Sequence, residues 1–158
     1  MKKTLYVAII ALVLIADQVT KALARAALAA SPSRHFGILT LLYTENSGAF
    51  LSLGARLPAS LRTIVFDVAV AVGLIVATIL LMRAKLQRGD DIALAAVIGG
   101  GFGNLIDRLR FGGRVTDFLY LAIGPLHTGV FNIGDMAITL GVLWLMVSWM
   151  FSTRGRVS

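Results

Sequence analysis

Four apolar runs separated by short polar stretches set the pattern of this chain. They cover approximately residues 4–30, 62–82, 92–106 and 131–151. Each is long enough to be considered a membrane-spanning helix. The first begins behind Met1-Lys2-Lys3 and has the look of an export signal. Three further apolar runs follow it, so it reads as a retained signal-anchor helix. It cannot stop at Asp17, because the apolar residues before that acid reach only about 18 Å. The helix therefore continues through Asp17-Gln18-Val19-Thr20-Lys21 until Ser31-Pro32-Ser33 ends it. Residues 35–53 change character. They are rich in strand formers (Phe36, Ile38, Thr40, Tyr43, Thr44) and break at the turn signal Asn46-Ser47-Gly48. A short antiparallel element outside the membrane is the expectation there.

Polar flanks give the topology. Lys2 and Lys3 precede the first run, Arg83, Lys85 and Arg88 fill the connection between the second and third, and Arg154 and Arg156 follow the fourth. The positive-inside rule then places both termini in the cytoplasm and the longer connections outside. Measured from the cytoplasmic ends at 1.5 Å per residue, Asp17, Asp67, Asp107 and Asp135 all lie roughly 21–28 Å up their helices. That is near the outer edge of a hydrocarbon core about 30 Å thick. Ionisable groups at such depth are costly unless they face protein or water. For Asp67 an isolated interfacial acid is the preferred reading, since no motif surrounds it. Asp17 and Lys21, four apart, share a face and can pair, either as a plain helix salt bridge or facing a polar cavity.

Composition narrows the class. The chain is 58% hydrophobic with a mean hydropathy of +0.85, which excludes an ordinary soluble domain and indicates one integral membrane domain over residues 1–158. The net charge of +7 is scattered, so nucleic acid is not an expected partner and membrane lipid is. There is no cysteine, which removes thiol chemistry and disulfides. His35 and His127 have no metal-ligand spacing, so no metal and no cofactor are expected. No serine lies in a G-x-S-x-G setting, although a Ser–Lys pair using Lys21 with Ser47, Ser52 or Ser60 stays open. Carboxylates remain. Two that share one water cannot both ionise easily, so one keeps a proton while the other activates the water. Asp117, outside the membrane after the third run, and Asp135, at the mouth of the fourth, are the candidate pair. Around them, Asn104 is placed to brace a carboxylate, and Arg108 to offset acidic charge or meet lipid phosphate. Asn132 falls on nearly the same helical face as Asp135. The glycines at 99, 100, 101 and 103 allow close backbone approach, read equally as helix packing and as a smooth wall for a peptide.

Five stretches bear a resemblance: Asp17-Gln18-Val19-Thr20-Lys21, Asn46-Ser47-Gly48-Ala49-Phe50, residues 100–108 (GGFGNLIDR), Val115-Thr116-Asp117-Phe118 and Phe131-Asn132-Ile133-Gly134-Asp135. In this order they resemble the signature blocks of bacterial lipoprotein signal peptidases (signal peptidase II, prolipoprotein signal peptidase). The resemblance implies an all-α membrane protein: four transmembrane helices, a small extramembrane β element (the β cradle) and a short helix on the periplasmic face. It implies an inner-membrane aspartic endopeptidase that cuts prolipoproteins just before the diacylglyceryl-modified cysteine. The implied catalytic pair is Asp117 and Asp135. Asp17, Lys21, Asn46, Gly48, Gly100, Asn104, Asp107, Arg108 and Asn132 are implied to support it or to bind substrate and the inhibitor globomycin. Two departures stand out. Gly134 occupies a position where that family usually has Ala, and residues 120–129 lack its Trp-rich character. The competing reading, from another class, is a small ion or proton transporter whose intramembrane acids line a path.

Overall fold

The structure, a computed structural model, describes residues 2–47, 58–83 and 86–154. Its elements run α1 (Lys2–Leu28), β1 (Arg34–Phe36), β2 (Leu39–Asn46), α2 (Ala59–Arg83), α3 (Arg88–Arg110), β3 (Val115–Ile123), β4 (Leu126–His127) and α4 (Ile133–Arg154). The four apolar runs are the four helices, with ends displaced by a few residues. The largest displacement is in α3, which extends beyond 92–106 at both ends. Asp90 and Asp91 occupy its first turn and Arg108 and Arg110 its last, each complementing the helix dipole there. Among the described residues, three stretches are long and apolar enough to cross a membrane: Lys3–Leu28, Gly89–Arg110 and Ile133–Phe151. Their exposed residues include Leu12, Val19, Leu140 and Trp149, as expected of surfaces facing lipid. The protein is a multi-pass membrane protein.

Helix α3 is the hub, touching α1, α2 and α4. Its glycines explain how. Successive helical residues point about 100° apart, so consecutive glycines serve different neighbours. A Cβ on Gly99 would lie 2.9 Å from the Ile10 carbonyl of α1. On Gly100 it would lie close against the Gly134 carbonyl of α4, and on Gly101 2.5 Å from Leu74 of α2. Gly103, one turn beyond Gly99, again faces α1 and meets Asp17. Small residues at these contacts let backbones approach in the absence of a hydrophobic driving force. Toward the opposite end of the bundle, Tyr6, Leu81, Ala95 and Ile98 form a core between α1, α2 and α3, and the Tyr6 hydroxyl donates to buried Asp91.

The sheet caps the end of this bundle at which Asp17, Asp107 and Asp135 lie. Its order is β1-β2-β3-β4, antiparallel throughout, with Thr44 opposite Asp117 and Asn46 opposite Val115. The partner of β2 is thus not only its hairpin neighbour β1 but also β3, a strand the sequence reading left as an unassigned segment. Phe118 packs with Ala24 and Leu28 of α1 and seats the sheet on the bundle. The chain passes from α3 to β3 with almost no slack. The Gly113 amide donates to the Arg108 carbonyl (2.7 Å), and Gly112 takes φ +61°. This is the glycine-terminated helix end that reverses the chain at once. On its far side, β3 pairs with Phe131: Leu119 N donates to Phe131 O (2.9 Å) and Phe131 N to Leu119 O (2.8 Å). One strand therefore carries Asp117 and also anchors the start of α4. Residues 120–129, singled out above for their composition, form most of the β3–β4 hairpin. Among the described residues there is no short helix on the outer face.

Candidate active site

Asn132 is the joint of the site. It immediately precedes α4, and its side-chain Oδ1 accepts from Asp135 N (2.8 Å) while its own amide donates to Asp135 Oδ2 (3.2 Å). This reciprocal pair is a capping box built from Asn and Asp. It leaves the Asn132 Nδ2 free to turn outward, where it donates to Asp117 Oδ1 at 2.7 Å. Asn132 thus touches both candidate carboxylates, that of Asp117 through its side chain and that of Asp135 through its backbone amide. The other oxygen of each is also held: Asn104 Nδ2 donates to Asp135 Oδ1 (2.8 Å) and Asn46 Nδ2 to Asp117 Oδ2 (2.9 Å).

Behind the pair lies a charged cluster. Lys21 is fully buried, 2.8 Å from Asp17 Oδ2 and 3.6 Å from Asp107 Oδ2, and both acids are fully buried too. The pair from α1 therefore does not face an open cavity but is enclosed by side chains. Lys21 also donates to Asn104 Oδ1 (2.7 Å), which fixes that amide so its nitrogen points at Asp135. Asp17 Oδ1 accepts from Gly134 N (2.8 Å), placing a carboxylate on the N-terminus of α4, where negative charge is favoured. Asp107 Oδ2 accepts from Thr116 N (2.9 Å) and so orients the residue just before Asp117. Arg25 completes the balance. It lies 3.6 Å from Asp107, donates to Thr116 Oγ1 (2.7 Å) and stacks over Phe111 at 4.7 Å. Two cations, Lys21 and Arg25, face two anions, Asp17 and Asp107. That leaves no full positive charge for the outer pair.

The electrostatic result appears at Asp117. Burial pushes its carboxyl up from the usual range to about 6, against the hydrogen bond from Asn46, and the nearby Asp135 charge adds to the rise. The Asn132 hydrogen bond and the Lys21 charge pull the other way. An apolar cavity of about 390 Å³ opens onto Asp135, walled by Leu121, Phe131 and Met136 among others.

The remaining residues named from the sequence are placed as follows. Gly100 is buried against the Gly134 backbone, a packing contact rather than an open wall. Arg108 is half-buried and makes no side-chain hydrogen bond or ion pair among the described residues. Gly48 lies outside the described residues, as does Ser52. Ser47 is exposed. Asp67 joins none of these groups, and its Oδ1 is buried without a hydrogen-bond partner among the described residues. Gln18, Arg25 and Thr116 were not singled out from the sequence. Gln18 reaches the Gly103 carbonyl (3.0 Å) and Asp107 Oδ1 (3.2 Å).

Gly103→Ala tests how tightly this cluster is closed. Its Cβ would lie in direct collision with Asp17 Oδ2, so Asp17 must leave Lys21 or the helices must part. Overpacking of this kind costs about 1–3 kcal/mol. A lower thermal midpoint in detergent, accompanied by reduced activity, is the expected outcome.

The fold and site together define a multi-pass membrane protein with a carboxylate pair held where its helices meet a small sheet. A family model for signal peptidase (SPase) II matches residues 9–151. A lipoprotein signal peptidase of Francisella tularensis subsp. novicida (strain U112) is 35% identical over 156 residues, covering 96% of this chain and 95% of that protein. One of Syntrophus aciditrophicus (strain SB) is 41% identical over 115 residues, 70% of this chain and 69% of that protein. In three dimensions the chain is similar to a bacterial membrane enzyme solved by the in meso method at 2.3 Å, with a TM-score of 0.82 and 24% identity, over 95% of this chain and 90% of that one. The chain belongs to the signal peptidase II family.

Proposed function

We propose that this protein is an aspartic endopeptidase of the bacterial inner membrane that removes signal peptides from prolipoproteins, cutting immediately before the diacylglyceryl-modified cysteine. The observation that carries the reading is the capping box of α4, in which Asn132 joins Asp135 to Asp117. All four helices span the bilayer, with both termini in the cytoplasm and the carboxylate pair at the periplasmic face. Membrane lipid surrounds the helices, and globomycin competes with substrate for the site.

In the mechanism, Asp117 carries the proton of the pair, consistent with its raised pKa. Ionised Asp135 takes a proton from a bound water, whose oxygen attacks the scissile carbonyl. Asp117 passes its proton to that carbonyl oxygen as the tetrahedral intermediate forms and takes it back as the intermediate collapses. Collapse of the tetrahedral intermediate breaks the C–N bond, and the proton held by Asp135 passes to the leaving amine. Lys21 does not enter the reaction; it holds Asn104 and balances Asp17 and Asp107. The transporter reading needs intramembrane acids that line a path, whereas Asp17 and Asp107 are enclosed with Lys21 and Asp67 joins none of these groups.

The sign of the pH dependence follows. Asp117 must be protonated while Asp135 is ionised, so the alkaline limb belongs to Asp117 and activity is lost as pH rises through about 6. Well above that value kcat/KM falls about tenfold per pH unit. Cleavage of a purified diacylglyceryl prolipoprotein, followed by gel shift from pH 5 to 8 with and without globomycin, measures this. A flat profile across that range, or cleavage indifferent to the inhibitor, counts against the proposal.

A further inference from the structure

Asp67 takes no part in the mechanism above, yet it is not on the lipid face of its helix. On α2, Ile64, Val68, Val72, Ile75 and Ile79 are exposed and mark that face. Asp67 falls instead on the stripe of Leu74 and Leu81, which recur at seven-residue steps and are both buried. The stripe meets α3 in register. Leu81 packs with Ala95 and Ile98, and a Cβ on Gly101 would lie 2.5 Å from the Leu74 side chain. Going back along α2 thus goes forward along α3, so the two helices are antiparallel. The same register, continued seven residues (about 10.5 Å) beyond Leu74 and Gly101, brings Asp67 level with Arg108. Two apolar contacts are followed by an acid facing a base. Each is half-buried, and among the described residues no ion pair joins them. Asp67 Oδ1 is buried with no hydrogen-bond partner among the described residues, which costs stability. Arg108 stands one helical turn beyond Asn104, whose amide holds Asp135. The facing charges therefore border the carboxylate pair.

We propose that Asp67, which lies outside the five sequence blocks, is a further substrate-binding residue: one peptide unit beside the scissile bond sits between it and Arg108, giving its N–H to Asp67 Oδ1 and accepting from the Arg108 guanidinium at its C=O. The inference rests on the peptidase reading. A peptide bond that is to be cut must be drawn out of regular structure, and at the membrane edge its freed N–H and C=O need partners. These two groups point to opposite sides of the peptide plane and form a strong dipole. An acid and a base held apart on facing helices match the two ends of that dipole. A lipid phosphate would suit Arg108 but would be repelled by Asp67. A plain interhelical ion pair would bring the two side chains into contact. The cost of leaving Asp67 Oδ1 unpaired is then offset when substrate binds.

The test uses the full-length protein and synthetic diacylglyceryl-cysteine peptides in which the backbone amides before the cysteine are replaced, one at a time, by esters. Each ester removes a single N–H. In steady-state cleavage by the wild type, one ester position is expected to raise KM about tenfold while kcat holds, the mark of lost binding that is the same before and in the reaction step. Asp67→Leu, which removes the acceptor, is expected to raise KM about tenfold for the all-amide peptide and to be indifferent to that same ester. Asp67→Asn keeps an acceptor oxygen and is expected to fall between the wild type and Asp67→Leu. The thermal midpoint of Asp67→Leu is expected at or above that of the wild type, since a buried unpaired oxygen is gone. If the effects of Asp67→Leu and of every ester simply add, the assignment is overturned and the peptidase reading stands. A lowered midpoint with KM unchanged does the same, making Asp67 a packing residue. So does recovery of the wild-type KM on adding Arg108→Leu to Asp67→Leu, since the two would then serve only as each other's counter-ions. No cleavage of the all-amide peptide by the wild type overturns both readings.

Discussion

Asp117→Asn is expected to lower kcat for prolipoprotein cleavage by about 10⁴-fold, the upper range for a positioned acid–base group. An amide at this position cannot pass a proton to and from the reacting carbonyl. The fold is expected to survive, because the amide is nearly isosteric and its carbonyl can accept from Asn132 or Asn46. A separate readout follows from the raised pKa. Asp117 ionises less readily in the folded protein, at about 6, than in the unfolded chain. Unfolded carboxylates of this type titrate near about 3.9. Ionisation of Asp117 therefore opposes folding as pH rises between these values. The wild type is expected to lose stability relative to Asp117→Asn from about pH 4 to above about pH 6, where the difference levels off. Thermal unfolding of both proteins in the same detergent, across that range, measures it.

Lys21→Met is the substitution expected to damage the protein most. The Lys21 ammonium is fully buried between Asp17 and Asp107. Methionine fills similar volume but leaves two buried carboxylates sharing Arg25 alone. Breaking a buried pair by removing one partner costs about 3–5 kcal/mol. It also frees the Asn104 amide from its orientation toward Asp135. Activity is expected to fall with stability. Lys21→Met combined with Asp17→Asn is expected to recover part of the lost thermal midpoint, since the charge is again matched, without recovering the lost activity. Equal midpoints for the wild type and Lys21→Met would show that the cluster is not closed in the way described.

The first, second and fourth helices were legible because an apolar run longer than about 17 residues has few alternatives; the third, read as 92–106, falls short of that and gains its length from its charged ends. Their ends were less so. Charged first and last turns of α3, such as Arg88-Gly89-Asp90-Asp91, look like loop in a membrane chain, yet they are helix stabilised by the dipole. Strand β3 escaped the sequence reading for a different reason. Val115 to Phe118 are all buried, so no polar alternation marks them, and the pairing partner β2 lies some seventy residues away. The candidate carboxylates emerged by elimination and through the sequence blocks. What joins them did not. Asn132 was placed only on the same face as Asp135, although Asn-x-x-Asp before an apolar run is a capping-box pattern. Arg25 completes the i, i+4, i+8 row of Asp17 and Lys21, a spacing that could have flagged it. The role of Gly100 depends on which residue of α4 it meets, and helix register across a bundle is not written in local sequence.

The central claim, that Asp117 and Asp135 act together on the scissile bond, is tested most directly by one comparison. Purified wild type, Asp117→Asn and Asp135→Asn are incubated with the same diacylglyceryl prolipoprotein at pH 5.5, each first shown to be folded by its thermal transition. The expected result is complete release of the signal peptide by the wild type and none by either variant. Cleavage by either folded variant at the wild-type rate would contradict the account.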